Sequence, residues 1–277
     1  MQCLDIDWKT DDATLWHNVW FVGDQHLGAT GCVVGQIRET VQEIKGDERA
    51  IAFLLGDCGD FINFSDKRFD IQQVAPKYQK HLDDLPRVVA DDFCEIYEPI
   101  KDKIKLLIPG NHEETVRKRY HSRVARDITE GLSIPLLDTI NQVRIRLRSE
   151  RDGIRRSVIV KGVLSHAHKG AILRGAKISA TGRIFDMYGN HDFIAQAHMH
   201  EYDVGDGRNL DVVGKWGSPR VKERVRMMFL TGSYLRTYGP GSSYGEVRAY
   251  PPTRLGSPHM KMRLRRGTHD EVELRGE

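Results

Sequence analysis

This chain of 277 residues has few cysteines, little excess of charge of either sign and no long apolar run. Its four cysteines are widely spaced and form no CxxC pair, which argues against a disulfide framework and against a structural zinc knuckle. No apolar run approaches the roughly 20 residues that a membrane-spanning helix needs. The chain starts with acidic Asp5 and Asp7 rather than with a basic segment and an apolar stretch, so a signal peptide is not expected. We therefore expect a cytoplasmic protein with no membrane partner.

The net charge of +3 does not by itself indicate a nucleic-acid-binding protein. Basic residues are nevertheless concentrated in two runs in the middle of the chain. Each run is either a solvated face, which is the commoner case, or a surface that follows a phosphate backbone. The first run is Arg117, Lys118, Arg119, Arg123 and Arg126, and the second is Arg144, Arg146, Arg148, Arg151, Arg155 and Arg156.

Apolar runs bounded by glycine and proline predict buried strands, and helical periodicity lies between several of them. The alternation over residues 15–115 favours βαβ units and an α/β fold. We find no repeat or linker, so we expect a single domain over 1–277, with an insertion at about 63–86 and a charged tail that frays from about 268. The predicted strands are 20–22, 50–55, 104–108, 142–147, 157–164, 193–197, 224–230 and 260–264, and the predicted helices are 35–44, 88–97 and 113–130.

Five of these strands end in side chains that can bind a metal ion. Open α/β sheets place ligand sites beyond the carboxyl ends of their strands, so we expect these side chains to meet. Together they supply at least two aspartates, one asparagine and four imidazoles, which suits two divalent ions that share a bridging carboxylate. The sequence therefore predicts a dinuclear metal enzyme that cleaves phosphate esters. The five segments are Gly23-Asp24-Gln25-His26, Gly56-Asp57-Cys58-Gly59-Asp60, Gly110-Asn111-His112-Glu113, Ser165-His166-Ala167-His168 and Ala197-His198-Met199-His200.

The order Asp-x-His, Gly-Asp-x-x-Asp, Gly-Asn-His-Glu, His, His-x-His resembles the calcineurin-like metallophosphoesterase superfamily over residues 20–200. The resemblance implies a four-layer α/β/β/α sandwich with two mixed sheets. The stretches 57–70 and 242–246 are similar to phage and prophage members, and 24–28 (Asp-Gln-His-Leu-Gly) is similar to the SbcD-like repair nucleases. One departure is Ala197, which stands where the family usually has glycine.

The resemblance also implies a division of the ligands between two ions that Asp57 bridges. The ions are expected to be manganese, with iron, zinc, nickel or magnesium as alternatives, and a hydroxide bridging them would attack phosphorus. His112 would not be a ligand but would donate a proton to the leaving group. One ion would be held by Asp24, His26, Asp57 and His200, and the other by Asp57, Asn111, His166 and His198.

Three further residues are expected to support this site. Either Asp60 or Glu113 would orient His112 or fix a metal ligand, and the sequence leaves open which of them does so. In the fourth segment His166 ends the strand and is therefore the preferred ligand. His168 is expected to contact phosphate or to lie behind the ligands.

The substrate is the least constrained feature. Phe61 follows Asp60 where protein phosphatases of this superfamily have arginine, which disfavours a protein phosphatase. We expect a nuclease that acts on DNA, because 24–28 and a basic segment near the site are similar to the SbcD-like repair nucleases. The predicted helix 113–130 would place Arg119, Arg123 and Arg126 on one face, with Tyr120 adjacent for base stacking, and this face would follow the DNA backbone. The alternatives are a phosphodiesterase for small molecules or cyclic nucleotides, and a non-catalytic metal-binding scaffold.

Overall fold

Two mixed β-sheets lie face to face at the centre of the molecule. The computed structural model describes residues 1–62, 69–151, 153–166, 171–238, 251–252, 254–266 and 271–277. The strands are β1 (Cys3–Thr10), β2 (His17–Val22), β3 (Ala50–Leu54), β4 (Ile104–Leu107), β5 (Ile140–Arg151), β6 (Ile154–Ser165), β7 (Phe193–Gln196), β8 (Asp203–Lys215), β9 (Ser218–Leu230), β10 (His259–Arg265) and β11 (Glu271–Gly276). The helices are α1 (Val34–Gly46), α2 (Leu85–Tyr97), α3 (Asn111–Tyr120), α4 (Val124–Leu132) and α5 (Arg174–Asp186).

The six-stranded sheet has the order β1-β5-β6-β7-β9-β8, and the five-stranded sheet has the order β11-β10-β2-β3-β4. Their inner faces share one apolar core, in which Phe21 of β2 lies 5.4 Å from Phe193 and 4.8 Å from Phe229, measured between ring centroids. Helices α1, α2 and α4 cover the outer face of the five-stranded sheet, and α5 packs on the outer face of the other. The expected four-layer sandwich with two mixed sheets is confirmed. No helix within the described ranges has the length and apolarity of a membrane span.

The carboxyl ends of the central strands of both sheets meet at one edge of the sandwich. Strands β2, β3 and β4 are parallel to one another, as are β6, β7 and β9. The loops beyond these ends are tied together by backbone hydrogen bonds, such as the one from the Asp24 amide to the Gly56 carbonyl (3.1 Å) and the one from the Ala197 amide to the Ser165 carbonyl (2.9 Å). All five sequence segments with metal-binding side chains therefore begin at this edge.

The single helix predicted over 113–130 is wrong, because two helices occupy this part of the chain. Helix α3 ends at Tyr120, and His121 adopts a left-handed backbone conformation with φ of 54°. Arg119 thus belongs to α3, whereas Arg123 precedes the first turn of α4 and Arg126 lies within α4. The proposed shared helical face does not exist.

The side chains around this break also differ from the expectation. Arg117 forms an ion pair with Glu114 (2.8 Å), and Arg123 lies 3.4 Å from Glu130. The half-buried Tyr120 packs against the apolar core instead of presenting its ring for base stacking. The first basic run is therefore partly neutralised and loses its aromatic partner.

The first three arginines of the second basic run face acidic residues of a strand that was not predicted. Strand β1 is parallel to β5, and its Asp5 lies 2.5 Å from Arg144. Asp7 forms ion pairs with Arg146 (3.0 Å) and Arg148 (2.6 Å). These contacts favour the view that this run is a solvated face, because the paired carboxylates offset the positive charge. Exposed ion pairs of this kind contribute little to stability.

The charged tail was expected to fray from about 268; residues 267–270 lie outside the described part of the chain, and from Glu271 onward β11 pairs with β10 along its whole length. Val272 and Leu274 alternate with charged residues and pack against the central core. Residues 63–68 of the predicted insertion lie outside the described part of the chain. The remainder of the insertion contains two short 3-10 helices, Ile71–Gln73 and Gln79–His81, and buries Val74 and Tyr78.

Candidate metal centre

The backbone turns sharply at the residues predicted to bind metal. Among the described residues, eight non-glycine residues have φ in the left-handed region. Such a conformation costs an L-residue about 1–3 kcal/mol and is concentrated at functional sites. Five of the eight are predicted metal ligands, namely Asp24 (52°), His26 (49°), Asp57 (49°), His198 (75°) and His200 (47°). The strained turns direct these side chains back over the strand ends, into one common space.

A first group of donors forms where β2 and β3 end. Asp24, His26, Asp57 and His200 offer ligand atoms that all lie within 4.8 Å of one another. His26 Nε2 lies 3.0 Å from His200 Nε2 and 3.9 Å from Asp57 Oδ2. His200 Nε2 lies 3.6 Å from Asp24 Oδ1. These are the same four residues that the family resemblance assigns to one ion.

A second group shares Asp57. Asp57, His166 and His198 again place their donors within 4.8 Å of one another. His166 Nε2 lies 3.2 Å from Asp57 Oδ2 and 3.4 Å from Asn111 Oδ1. His166 Nδ1 donates to the Leu55 carbonyl oxygen (2.5 Å), so Nε2 faces the group and is the nitrogen that would bind a cation once it has lost its proton. Carboxylate, amide and imidazole donors around one shared carboxylate fit two divalent cations.

The buried charges of the two groups control one another. Burial opposes ionisation of Asp57, but the surrounding imidazoles, His166 first, outweigh burial and hold its pKa well below the usual range. Burial would lower the pKa of His166, but Asp57 outweighs burial and raises that pKa to about 10. Burial raises the pKa of Asp24 to about 6. Burial and His26 together hold the pKa of His200 well below its usual range, so this imidazole is neutral and able to bind a cation.

Glu113 holds the loop that carries the shared carboxylate. Only 1% of this residue is exposed, and its carboxylate accepts three backbone hydrogen bonds. The donors are the amides of Asp57 (3.0 Å), Cys58 (2.7 Å) and Gly110 (2.9 Å). A Cβ atom at Gly110 would lie 2.4 Å from the Asp57 nitrogen, so only glycine permits the close approach of these two loops. Glu113 is thus placed to fix Asp57.

Asp60 contacts His112 instead, so the two carboxylates that the sequence did not distinguish have different partners. His112 Nδ1 donates to the Asp60 carbonyl oxygen, and its amide donates to Asp57 Oδ1 (2.9 Å). The Asp60 carboxylate lies 3.5 Å from His112 Nδ1 and 3.6 Å from His26 Nδ1. His26, Asp60 and His112 also have donors within 4.8 Å of one another, although the hydrogen bond to Asp60 occupies His112 Nδ1. The carbonyl acceptor requires a proton on Nδ1, which makes Nε2 the nitrogen that can gain or lose a proton.

Sequence reasoning missed a sixth segment, which follows β9. Thr231 Oγ1 donates to Asp24 Oδ2 (3.0 Å), and Ser233 Oγ donates to the Asp24 carbonyl oxygen (2.9 Å). The His198 amide also donates to Asp24 Oδ2 (2.9 Å). The signal was present in the sequence, because Thr231-Gly232-Ser233 directly follows the predicted strand 224–230 as the other segments follow theirs.

One of the other sequence features can be located, and two cannot. Gly23 lies opposite Ala197, and a Cβ atom at Gly23 would lie 3.0 Å from the Ala197 Cβ, so the alanine that replaces the usual glycine fits against a residue without a side chain. His168 lies outside the described residues, as does the stretch 242–246.

Comparison with known proteins agrees with this geometry. The family model described as calcineurin-like phosphoesterase matches residues 17–202, a range that includes every predicted metal ligand. The chain is similar in structure to a protein of unknown function from Aquifex aeolicus (16% identity, 66% of this chain and 80% of that chain, TM-score 0.34). It is also similar to Vps29 from Chaetomium thermophilum (9% identity, 94% of this chain and 95% of that chain, TM-score 0.35). A third similar structure is a predicted phosphoesterase from Streptococcus pneumoniae (9% identity, 94% of this chain and 99% of that chain, TM-score 0.34). No curated protein sequence matches the chain.

Proposed function

Because the chain belongs to the calcineurin-like phosphoesterase family, we propose that it hydrolyses phosphodiesters with two bound divalent ions and that DNA is its substrate. The observation that carries the proposal is the position of Asp57, whose carboxylate belongs to both donor groups while its Oδ1 accepts from the amide of His112. Asp57, which would bind both ions, and His112, which would donate a proton, therefore lie side by side at one edge of the sandwich.

The donor set suits an anionic substrate. When bound, two divalent ions supply Lewis acidity toward the phosphate oxygens and a nucleophile at neutral pH. Asn111 and the imidazoles are neutral when they act as ligands, so they hold cations without cancelling the positive charge that attracts phosphate. Asp24 and Asp57 are then the anionic members of the two donor groups.

His112 is positioned to serve the leaving group. Its Nδ1 proton is held by the Asp60 carbonyl oxygen, and the ring lies edge-on to His26 at 4.8 Å between centroids. A protonated Nε2 can donate to the departing oxygen, which matters most for a poor leaving group such as a sugar alkoxide. This role favours phosphate esters of alcohols, such as the sugar esters of nucleic acids, over esters with acidic leaving groups.

Two further features support a substrate other than a phosphoprotein. Phe61 takes the position where protein phosphatases have a phosphate-gripping arginine, and it is 2% exposed and packed in the apolar core. The resemblance of 24–28 to SbcD-like nucleases supports a DNA substrate. We therefore place nucleic acid before small phosphodiesters.

The test is an assay of the purified protein loaded with manganese. The substrates are single-stranded DNA, double-stranded DNA, a cyclic nucleotide and bis(p-nitrophenyl) phosphate, with Asp57→Asn as the inactive control. We expect cleavage of DNA and of the chromogenic diester. Cleavage of the cyclic nucleotide and the chromogenic diester without cleavage of DNA would replace the DNA proposal by the small-substrate alternative, and no turnover of any diester would leave a metal-binding scaffold.

A further inference from the structure

Arg254, which precedes β10, differs from Arg117 of α3. Arg254 is exposed, and no carboxylate of the described residues forms an ion pair with its guanidinium. By contrast, Arg117 is paired with Glu114. An exposed arginine without an acidic partner is available to bind an anion.

The guanidinium of Arg254 is held in a defined place. Its central carbon lies 4.1 Å from the centroid of the half-buried Tyr202 ring. Tyr202 is two residues after His200, so their Cα atoms are at most about 7 Å apart. The ring on which Arg254 stacks therefore belongs to the same short segment as the ligand candidate His200.

The backbone around Arg254 is also tied to this group. A Cβ atom at Gly232 would lie 3.2 Å from Tyr202 Cδ2 and 3.0 Å from the Arg254 carbonyl oxygen. Gly232 lies between Thr231 and Ser233, whose hydroxyls hold Asp24. The amide of Gly256 donates to the Ser233 carbonyl oxygen (3.1 Å), which anchors the strand-like segment that carries Arg254. These contacts hold the backbone of Arg254 in a fixed position.

We propose that Arg254, stacked on Tyr202, binds the phosphate that neighbours the scissile phosphate in a nucleic-acid strand. The inference rests on the proposed function and names its substrate contact. Stacking engages the face of the guanidinium and leaves its N–H edge for the two oxygens of a phosphate.

The test compares Arg254→Gln with the wild type on two substrates: decathymidylate, which has neighbouring phosphates, and bis(p-nitrophenyl) phosphate, which has one. Loss of a charge-assisted contact should lower kcat/KM for decathymidylate by about 10–100-fold and leave the small diester unchanged. The log–log dependence of kcat/KM on salt should flatten by about 0.7, the value for one phosphate of a single strand. Arg254→Lys should restore only part of the loss, since lysine keeps the charge but not the planar stacking.

The matched control is Arg183→Gln on α5, because Arg183 is also exposed and also forms no ion pair with a described carboxylate. This control variant should leave kcat/KM unchanged for both substrates. Normal cleavage of decathymidylate by Arg254→Gln would overturn the inference and leave the DNA proposal intact. An equal loss for both substrates would likewise overturn it, since the contact would then not be to a neighbouring phosphate. A wild type that hydrolyses the small diester but neither binds nor cleaves decathymidylate would remove the nucleic-acid proposal and this inference together.

Discussion

Replacing Glu113 by glutamine should loosen the loop that carries the shared ligand Asp57. The carboxylate accepts from the amides of Asp57 and Gly110 through Oε2 and from the amide of Cys58 through Oε1. A glutamine has one oxygen, so its NH2 group must face at least one of these buried N–H donors. Leaving one buried donor without an acceptor costs about 1–3 kcal/mol. Glu113→Ala would strip all three donors and cost roughly 3–9 kcal/mol, which approaches the whole stability of a typical domain.

The measurement is urea unfolding of Glu113→Gln and wild type, each first treated with EDTA, followed by manganese titration of both. We expect a loss of about 1–3 kcal/mol and weaker manganese binding. The control is Glu114→Gln on the same helix, where the half-exposed carboxylate pairs with Arg117 and the loss should stay below about 1 kcal/mol. Equal stabilities for the two variants, with manganese affinity preserved in both, would refute the role given to Glu113.

Four further outcomes follow from the geometry. Asp57→Asn should weaken both metal sites and nearly abolish turnover, and a fully active wild type with a single manganese ion per chain would contradict the two-ion assignment. His112→Ala should keep its metal content but lower turnover by roughly 10²–10⁴-fold for a poor leaving group and by less for nitrophenol; equal losses would remove the proton-donor role. His166→Ala should lose one ion and His168→Ala none, and metal analysis showing the reverse would mean that the wrong histidine was chosen. Manganese binding should release protons and strengthen as pH rises, because Asp57 outweighs burial and raises the pKa of His166 to about 10. Calorimetry in buffers of different ionisation enthalpy measures the proton release, and a manganese affinity that does not change over about pH 6–9 would contradict this prediction.

The inner strands and the order of the motifs could be read from the sequence because both are local signals. Strands β3, β4 and β7 are short apolar runs that end at Gly, Pro or His. Such runs are typical of strands that are buried on both faces, as these strands are. Of the four edge strands, β4 was predicted, whereas β1, β8 and β11 were missed. Strand β1 alternates acidic and apolar residues, and its Asp5 and Asp7 become favourable in a strand only beside Arg144 and Arg146, more than a hundred residues away. A charged strand of this kind is specified by its neighbour and not by its own propensity.

By itself, the sequence determined which side chains could bind metal, their order along the chain and the fold that such an order accompanies. Only the tertiary structure decided how these residues are held. The left-handed conformations of Asp24 and His198 cost energy locally and persist because contacts from other strands stabilise them, such as the hydrogen bond between the His198 amide and the Asp24 carboxylate. Glu113 and Asp60 are chemically equivalent in the sequence. They differ in the structure because one points between two glycine-bordered loops and the other lies beside an imidazole.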